Sequence, residues 1–287
     1  MSAKKKMFSQ RIKYLIFLST VCLLIVFFVF QNNVIGVSIQ DYSNYKIPSA
    51  FDGYKIVQIS DLHNKSFGKD NINLITKIIR ENPDIIVITG DLLDSNHTDY
   101  QTALSFVRQA SAYAPIYYVS GNHESYLPQS EYQQFINDIS IYVTIMDDRS
   151  AIFEKDDDCI NLVGLADPEM TNSILTEKQR VRDSSVLNLI QPDMLNILLS
   201  HRPELLSVYS AYGFDLVLSG HAHGGQFRLP FVGGIYAPNQ GWFPTYSNGS
   251  YQSNNTEMIV SRGLGNSIIP IRIFNRPEIV TITLCTQ

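Results

Sequence analysis

His221 and His223 stand one residue apart, directly after the apolar run from Asp215 to Ser219 and directly before the glycines Gly224 and Gly225. Four other apolar runs end in the same residue types. Tyr54 to Ser60 is followed by Asp61 and His63, and Asp84 to Thr89 by Gly90 and Asp91. Pro115 to Ser120 is followed by Gly121, Asn122, His123 and Glu124, and Asn196 to Ser200 by His201. The chain has six histidines, and His97 alone falls outside these endings. An aspartate after a strand is by itself an ordinary helix cap, and a single histidine is an ordinary satisfied polar group. Five such endings together point to one metal site. Imidazole nitrogens and carboxylate oxygens without a thiolate suit Mn²⁺, Zn²⁺ or Fe, and of these Mn²⁺ is favoured.

For five endings to meet, the runs before them must share a sheet arrangement. Each run is short, rich in β-branched residues and continuous enough to be buried on both faces. Amphipathic segments near Asp70 to Glu81, Tyr100 to Ser111 and Ser130 to Ile139 separate the early runs. This alternation predicts an α/β layered domain, in which the loops at the carboxyl ends of the strands line the ligand crevice. From Gln226 to Leu284 apolar runs sit among Gly, Pro, Asn and Ser with no helical period, which predicts strands and loops completing a second sheet. Residues 31 to 53 read as a linker plus an edge strand.

The chain has 287 residues, 45% hydrophobic and 17% charged, an ordinary globular composition. Its first segment differs. Lys4, Lys5, Lys6, Arg11 and Lys13 precede an uncharged apolar run from Tyr14 to Phe30. That run is longer than the apolar part of a signal peptide, and the residues after it lack a small-x-small cleavage site, so it reads as an uncleaved single-pass membrane anchor. The basic flank predicts a cytoplasmic N-terminus and an extracytoplasmic domain. The expected organisation is a basic cytoplasmic segment 1–13, a transmembrane anchor 14–31, a linker 32–52 and a catalytic domain 53–287. The chain's net charge is −5, and setting aside the five basic residues ahead of the span leaves −10 for the remainder. Such an acidic body argues against nucleic-acid partners. Cys159 and Cys285 lie outside the span, and their pairing stays open, as does the oligomeric state.

The ordered set DxH, GD, GNH[DE], a lone His and GHxH resembles the calcineurin-like metallophosphoesterase superfamily over roughly residues 53 to 284. The segments after Gly220 and around Ser261 to Ile279 are similar to its membrane-anchored bacterial branch. The resemblance implies two facing β-sheets flanked by helices, and two divalent metal ions that clamp a phosphoester for in-line displacement. It assigns Asp61, His63, Asp91 and His223 to one ion, and Asp91, Asn122, His201 and His221 to the other. Asp91 would bridge them. His123 would stabilise the phosphoryl oxygens or protonate the leaving alkoxide, and Glu124 would orient His123, its alternative being a solvated acid.

Other residues carry weaker signals. Asp94 is either a support for the site or a cap, Asp167 a turn residue or else one that faces the site, and Arg202 and Arg262 are candidates for touching phosphate. Phe231, Tyr236, Trp242, Phe243 and Tyr246 either pack the loop after the GHxH block or form a lip facing substrate or bilayer. The expected function is cleavage of a phosphodiester or pyrophosphate, in a lipid or cell-envelope molecule held near the anchor. The alternatives are a phosphomonoesterase with a soluble substrate and a metal-binding domain without catalysis.

Overall fold

The computed structural model describes residues 3–171, 174–266 and 270–287. It begins with α1 (Ala3–Asn33), whose residues Gln10–Asn33 are long and apolar enough to cross a membrane by length and composition. Those 24 residues extend about 36 Å at ~1.5 Å per residue. Apolar side chains such as Phe17, Leu24 and Val29 stand exposed along it. The helix therefore begins before the expected anchor and ends two residues after it.

Next come β1 (Gly36–Ser43), β2 (Lys55–Ile59), α2 (Ile72–Glu81), β3 (Ile85–Thr89), α3 (Tyr100–Ala110), β4 (Ile116–Val119), the single turn α4 (Asn122–Ser125), α5 (Gln129–Ile139) and β5 (Thr144–Ile145). The chain continues through β6 (Arg149–Lys155), β7 (Asp158–Gly164), α6 (Glu177–Arg182), β8 (Asn196–Leu199), α7 (Leu206–Tyr212) and β9 (Leu216–Ser219). Two small hairpins follow, β10 (Arg228–Leu229) with β11 (Gly233–Gly234), and β12 (Tyr236–Ala237) with β13 (Gly241–Trp242). β14 (Gly249–Ser253), β15 (Thr256–Val260) and β16 (Glu278–Cys285) complete the chain.

One six-stranded sheet has the order β1-β16-β2-β3-β4-β5 and the other the order β14-β15-β9-β8-β7-β6. The fold is thus α/β with two multistranded sheets flanked by helices. The side-chain alternation of a strand explains the layers. On β2, Ile56 faces a core shared with Val87, Leu162, Leu199 and Leu218, between the sheets. Its neighbours Val57 and Ile59 face the opposite way, onto Leu74, Ile75 and Ile78 of α2 and Phe106 of α3. The second sheet packs Leu198 and Val217 against Leu206 and Tyr209 of α7 on its own outer face. Fully burying each such aliphatic side chain stabilises the fold by about 1.5–3 kcal/mol. Gln58 is a buried polar residue on the same face of β2 as Ile56. Its amide nitrogen donates to Thr89 Oγ1 and to Ser219 O, both at 2.9 Å, which ties the end of β3 to the end of β9.

The C-terminal region departs from the expectation in one respect. β14 and β15 do complete the second sheet, but β16 enters the first sheet between β1 and β2. Its run Glu278–Val280 is buried on both faces, as a central strand requires. β1 is the edge strand that β16 covers, in parallel register from Gly36 with Glu278 to Ser43 with Cys285. Cys159 and Cys285 are free thiols with separate partners, Met194 Sδ and Thr283 O.

Candidate metal centre

The expected endings follow the carboxyl ends of β2, β3, β4, β8 and β9, which form parallel ladders within each sheet. Asp61, His63, Asp91, His221 and His223 all adopt positive φ, between 47° and 66°. Such conformations are uncommon outside glycine, though Asp and His tolerate them better than most residues. The chain bends sharply after β2, β3 and β9, and every one of these side chains is buried. Gly121 has a steric role at the same place, because a Cβ there would lie 2.2 Å from Asp91 Oδ1.

Two sets of donor atoms converge. In the first, His63 Nε2 and His223 Nε2 lie 3.1 Å apart. His223 Nε2 is 3.4 Å from Asp61 Oδ1, and His63 Nε2 is 3.5 Å from Asp91 Oδ2. In the second, His201 Nε2 lies 3.2 Å from Asn122 Oδ1, from His221 Nδ1 and from Asp91 Oδ2. The same oxygen of Asp91 therefore faces both sets, while its Oδ1 accepts from His123 N at 2.8 Å. Asp61, His63, Asp91 and His223 form one grouping able to hold a metal ion, and Asp91, His201 and His221 another. Asn122 adds an amide oxygen to the second.

Contacts behind the rings of His201 and His221 orient a nitrogen of each toward the donor sets. His201 Nδ1 lies 2.8 Å from Thr89 O, so it donates there and leaves Nε2 as the ring nitrogen that faces Asp91 and can take a cation. His221 Nε2 is engaged behind the ring, 3.2 Å from Asn239 Oδ1 and 3.3 Å from Arg202 Nη1, while Nδ1 faces His201. Burial holds His63 down at about 3, and holds His221 and His223 well below the usual imidazole range, so their lone pairs are available. His201 differs. Burial alone would lower it, but Asp91 and Asp61 pull it up to about 10, so a cation must displace its proton. Asp91 is raised by burial, but His201, His123 and His63 outweigh this and hold it well below the usual carboxylate range. Burial and then Asp91 raise Asp61, against His201, to about 6. The buried donors, their convergence and the shared carboxylate oxygen fit two divalent cations.

His123 lies at the rim of these sets. Its Nδ1 accepts from Ser95 N at 3.1 Å, which leaves Nε2 as the protonated nitrogen. Its ring meets that of His63 edge-on at 4.5 Å between centroids. His63, Asp94 and His123 form a further cluster with ligand atoms in mutual reach. Glu124 does not have the partner expected from the sequence. Its two oxygens accept from Asp91 N, Leu93 N and Gly121 N at 3.0, 3.0 and 2.8 Å, so it fastens the Asp91 loop and the start of α4. Position explains the difference: Glu124 is the third residue of α4 and folds back on its N-terminus as in a capping box. Burial, with Asp91 next, pushes its carboxyl up to about 8. The carboxylate beside His123 is Asp94, with Oδ1 3.5 Å from Nδ1.

Asp167 caps the short turn Pro168–Met170 and pairs with the buried Arg202 at 2.6 Å. Arg202 Nη1 is 3.3 Å from His221 Nε2, which puts it behind the ring. Arg262 belongs elsewhere, paired with Glu278 at 2.5 Å. A pocket of about 320 Å³ opens over the centre, lined by Asp91, Asn122, His123, His221, His223 and Asn239, with Ser95, Asn96, Tyr126 and Pro238 at its sides. The sequence reading missed Asn239 and Ser95, which lie in loops without a periodic or strand-end signal. Of the aromatic group, Phe231, Trp242 and Phe243 are exposed, whereas Tyr246 packs edge-on against Tyr251.

Residues 54–225 match the family described as calcineurin-like phosphoesterase. The chain is 31% identical over 242 residues to the uncharacterized metallophosphoesterase YkuE of Bacillus subtilis, covering 83% of this chain and 81% of that protein. It is 29% identical to a zebrafish (Danio rerio) transmembrane protein with a metallophosphoesterase domain, covering 83% of this chain and 55% of that protein. The NAD nucleotidase of Haemophilus influenzae shares the fold with a TM-score of 0.51 at 14% identity, covering 74% of this chain and 45% of that one. A buried, two-part donor set at five strand ends, beneath a pocket open to an ester, agrees with these matches: the chain belongs to the calcineurin-like phosphoesterase family, and its reaction is hydrolysis of a phosphoester bond.

Proposed function

We propose that this protein is a membrane-anchored, binuclear metal phosphohydrolase that cleaves a phosphodiester or pyrophosphate in a lipid or cell-envelope molecule. The observation that carries the binuclear reading is Asp91 Oδ2, which faces His63 on one side and His201 on the other. Asp61, His63, Asp91 and His223 would hold one ion, and Asp91, Asn122, His201 and His221 the second. Manganese is the proposed metal, because the donors are nitrogen and oxygen only. When bound, such a pair lowers the pKa of water and withdraws charge from phosphoryl oxygens. The chain supplies the rest. His123 Nε2 faces the pocket as a donor for a phosphoryl or leaving oxygen, Glu124 holds the Asp91 loop, and Asn239 fixes the ring of His221.

The lipid reading rests on continuity between the pocket and the anchor. The residues after His223 run into β10, where Arg228 N donates to Ile273 O at 3.0 Å. The neighbouring Phe274 packs edge-on against Phe27 of α1, with ring centroids 5.5 Å apart. Exposed Phe231 and Val232 at the β10–β11 turn, with Trp242 and Phe243 nearby in sequence, give this side apolar groups suited to a bilayer surface. Tethering raises the effective concentration of a membrane-bound substrate without a new contact. The full chain in vesicles is expected to hydrolyse a lipid phosphodiester at least about 100-fold more efficiently than a small soluble diester. Equal or better turnover of the soluble ester would sink the lipid reading in favour of a soluble phosphoester.

The basic residues ahead of the span give the proposed topology, with the N-terminus cytoplasmic and the domain outside. Protease added to intact spheroplasts is expected to digest the domain beyond Gln31. Protection until lysis would reverse the orientation.

A further inference from the structure

A second cavity, of about 630 Å³, lies where α1 meets the domain, shares no lining residue with the pocket over the metal centre, and is lined by Phe30 and Gln31 of α1, Lys77 of α2, Arg262, Phe274 and Arg276, among others. Its walls are fixed. Asn32 Oδ1 accepts from Arg272 N at 2.8 Å and Asn32 Nδ2 donates to Arg272 O at 3.3 Å, while Lys65 Nζ donates to Asn32 O at 2.6 Å. Arg276 Nε donates to Val34 O at 2.9 Å, and its guanidinium lies 4.7 Å from the centroid of the Phe30 ring.

The lining carries unused binding capacity. Among the described residues no carboxylate pairs with Lys77 or Arg276; Arg262 pairs with Glu278, but its Nε is buried without a partner. Gln31 is only 8% exposed, and its Oε1 is also buried without a partner. Cations and a buried acceptor without a partner in one lining suit a phosphate whose substituent carries a hydroxyl or ammonium group. Phe30 lies in the last turn of the apolar helix, so the cavity opens at the level where a spanning α1 would leave the hydrocarbon for the headgroup layer. Arginine and lysine at that level attract anionic headgroups.

We infer that this cavity binds the headgroup of an anionic phospholipid, its phosphate on Lys77, Arg262 and Arg276 and its headgroup hydroxyl on Gln31 Oε1. The lipid seats the domain against the bilayer. The inference rests on the reading of α1 as a membrane span, and it does not involve the metal centre.

The test is native mass spectrometry of the full chain in detergent, titrated with phosphatidylglycerol, phosphatidylcholine or soluble glycerol phosphate. Phosphatidylglycerol is expected to bind selectively. Lys77→Gln, which removes no observed hydrogen bond, is expected to weaken it about fivefold, as is Arg276→Gln. Unchanged phosphatidylglycerol affinity in both variants overturns the site, and so does equal binding of phosphatidylcholine. Competition by glycerol phosphate at the lipid's own affinity overturns the lipid assignment. Carbonate extraction of the same protein from vesicles reads the membrane span, and hydrolysis of a soluble diester reads the metal centre. Failure of either of those readings is therefore separable from failure of the headgroup site.

Discussion

Asp91→Asn is expected to leave the full chain unable to retain divalent metal and to lower phosphoester turnover by at least about 100-fold, the upper cost of losing even an outer partner of a metal ligand. Asp91 is buried, with Oδ2 at 3.2 Å from His201 and 3.5 Å from His63. Two divalent ions about 4 Å apart repel by roughly 17 kcal/mol at an effective dielectric of about 20. A shared negative oxygen offsets part of that repulsion, and an amide at the same place supplies no charge. The shape is nearly unchanged, so Asp91→Asn separates charge from packing. Elemental analysis after dialysis checks this outcome; full metal retention would remove Asp91 from the bridging role.

His123→Ala should behave in the opposite way, keeping its metal while losing turnover by about 10²- to 10⁴-fold, the usual worth of general acid or base catalysis. The geometry gives the reason. His123 Nδ1 is occupied by Ser95 N, and its ring nitrogens lie outside both donor sets around Asp91. The cluster of His63, Asp94 and His123 makes the competing outcome concrete. Elemental analysis and steady-state kinetics on the same sample distinguish the two, since loss of metal on His123→Ala would make it a ligand. The defect should also be smaller for substrates with a good leaving group, which need less help from an acid.

Much of this site was legible in the sequence because its donors sit on the simplest signal a chain carries, the residue just past a buried strand. Asp61, Asp91, His201 and His221 each follow an apolar run whose observed strand ends within two residues of them. The partners that hold the donors were less visible. Asn239 reaches His221 from a loop eighteen residues away in sequence, and nothing in its neighbours' periodicity marks it. Adjacency in sequence makes Glu124 look like a support for His123, but consecutive residues of a helical turn point in different directions, and its carboxylate returns to the backbone of Gly121. The sheet that β16 joins is hidden for a related reason: an apolar strand's sequence shows that both faces are buried, but not which neighbours bury them. The second cavity has no sequence signature, because Gln31, Lys77 and Arg276 are brought together only by the docking of α1 on the domain.

One carboxylate, Asp91, is proposed to organise two divalent ions beneath the pocket. The most direct test is the metal content of the purified full chain, loaded with Mn²⁺, dialysed, and assayed for diester hydrolysis before and after chelation. Two ions per chain are expected, with activity lost on chelation and restored by Mn²⁺. A chain that hydrolyses the ester at full rate with one ion or none would contradict this.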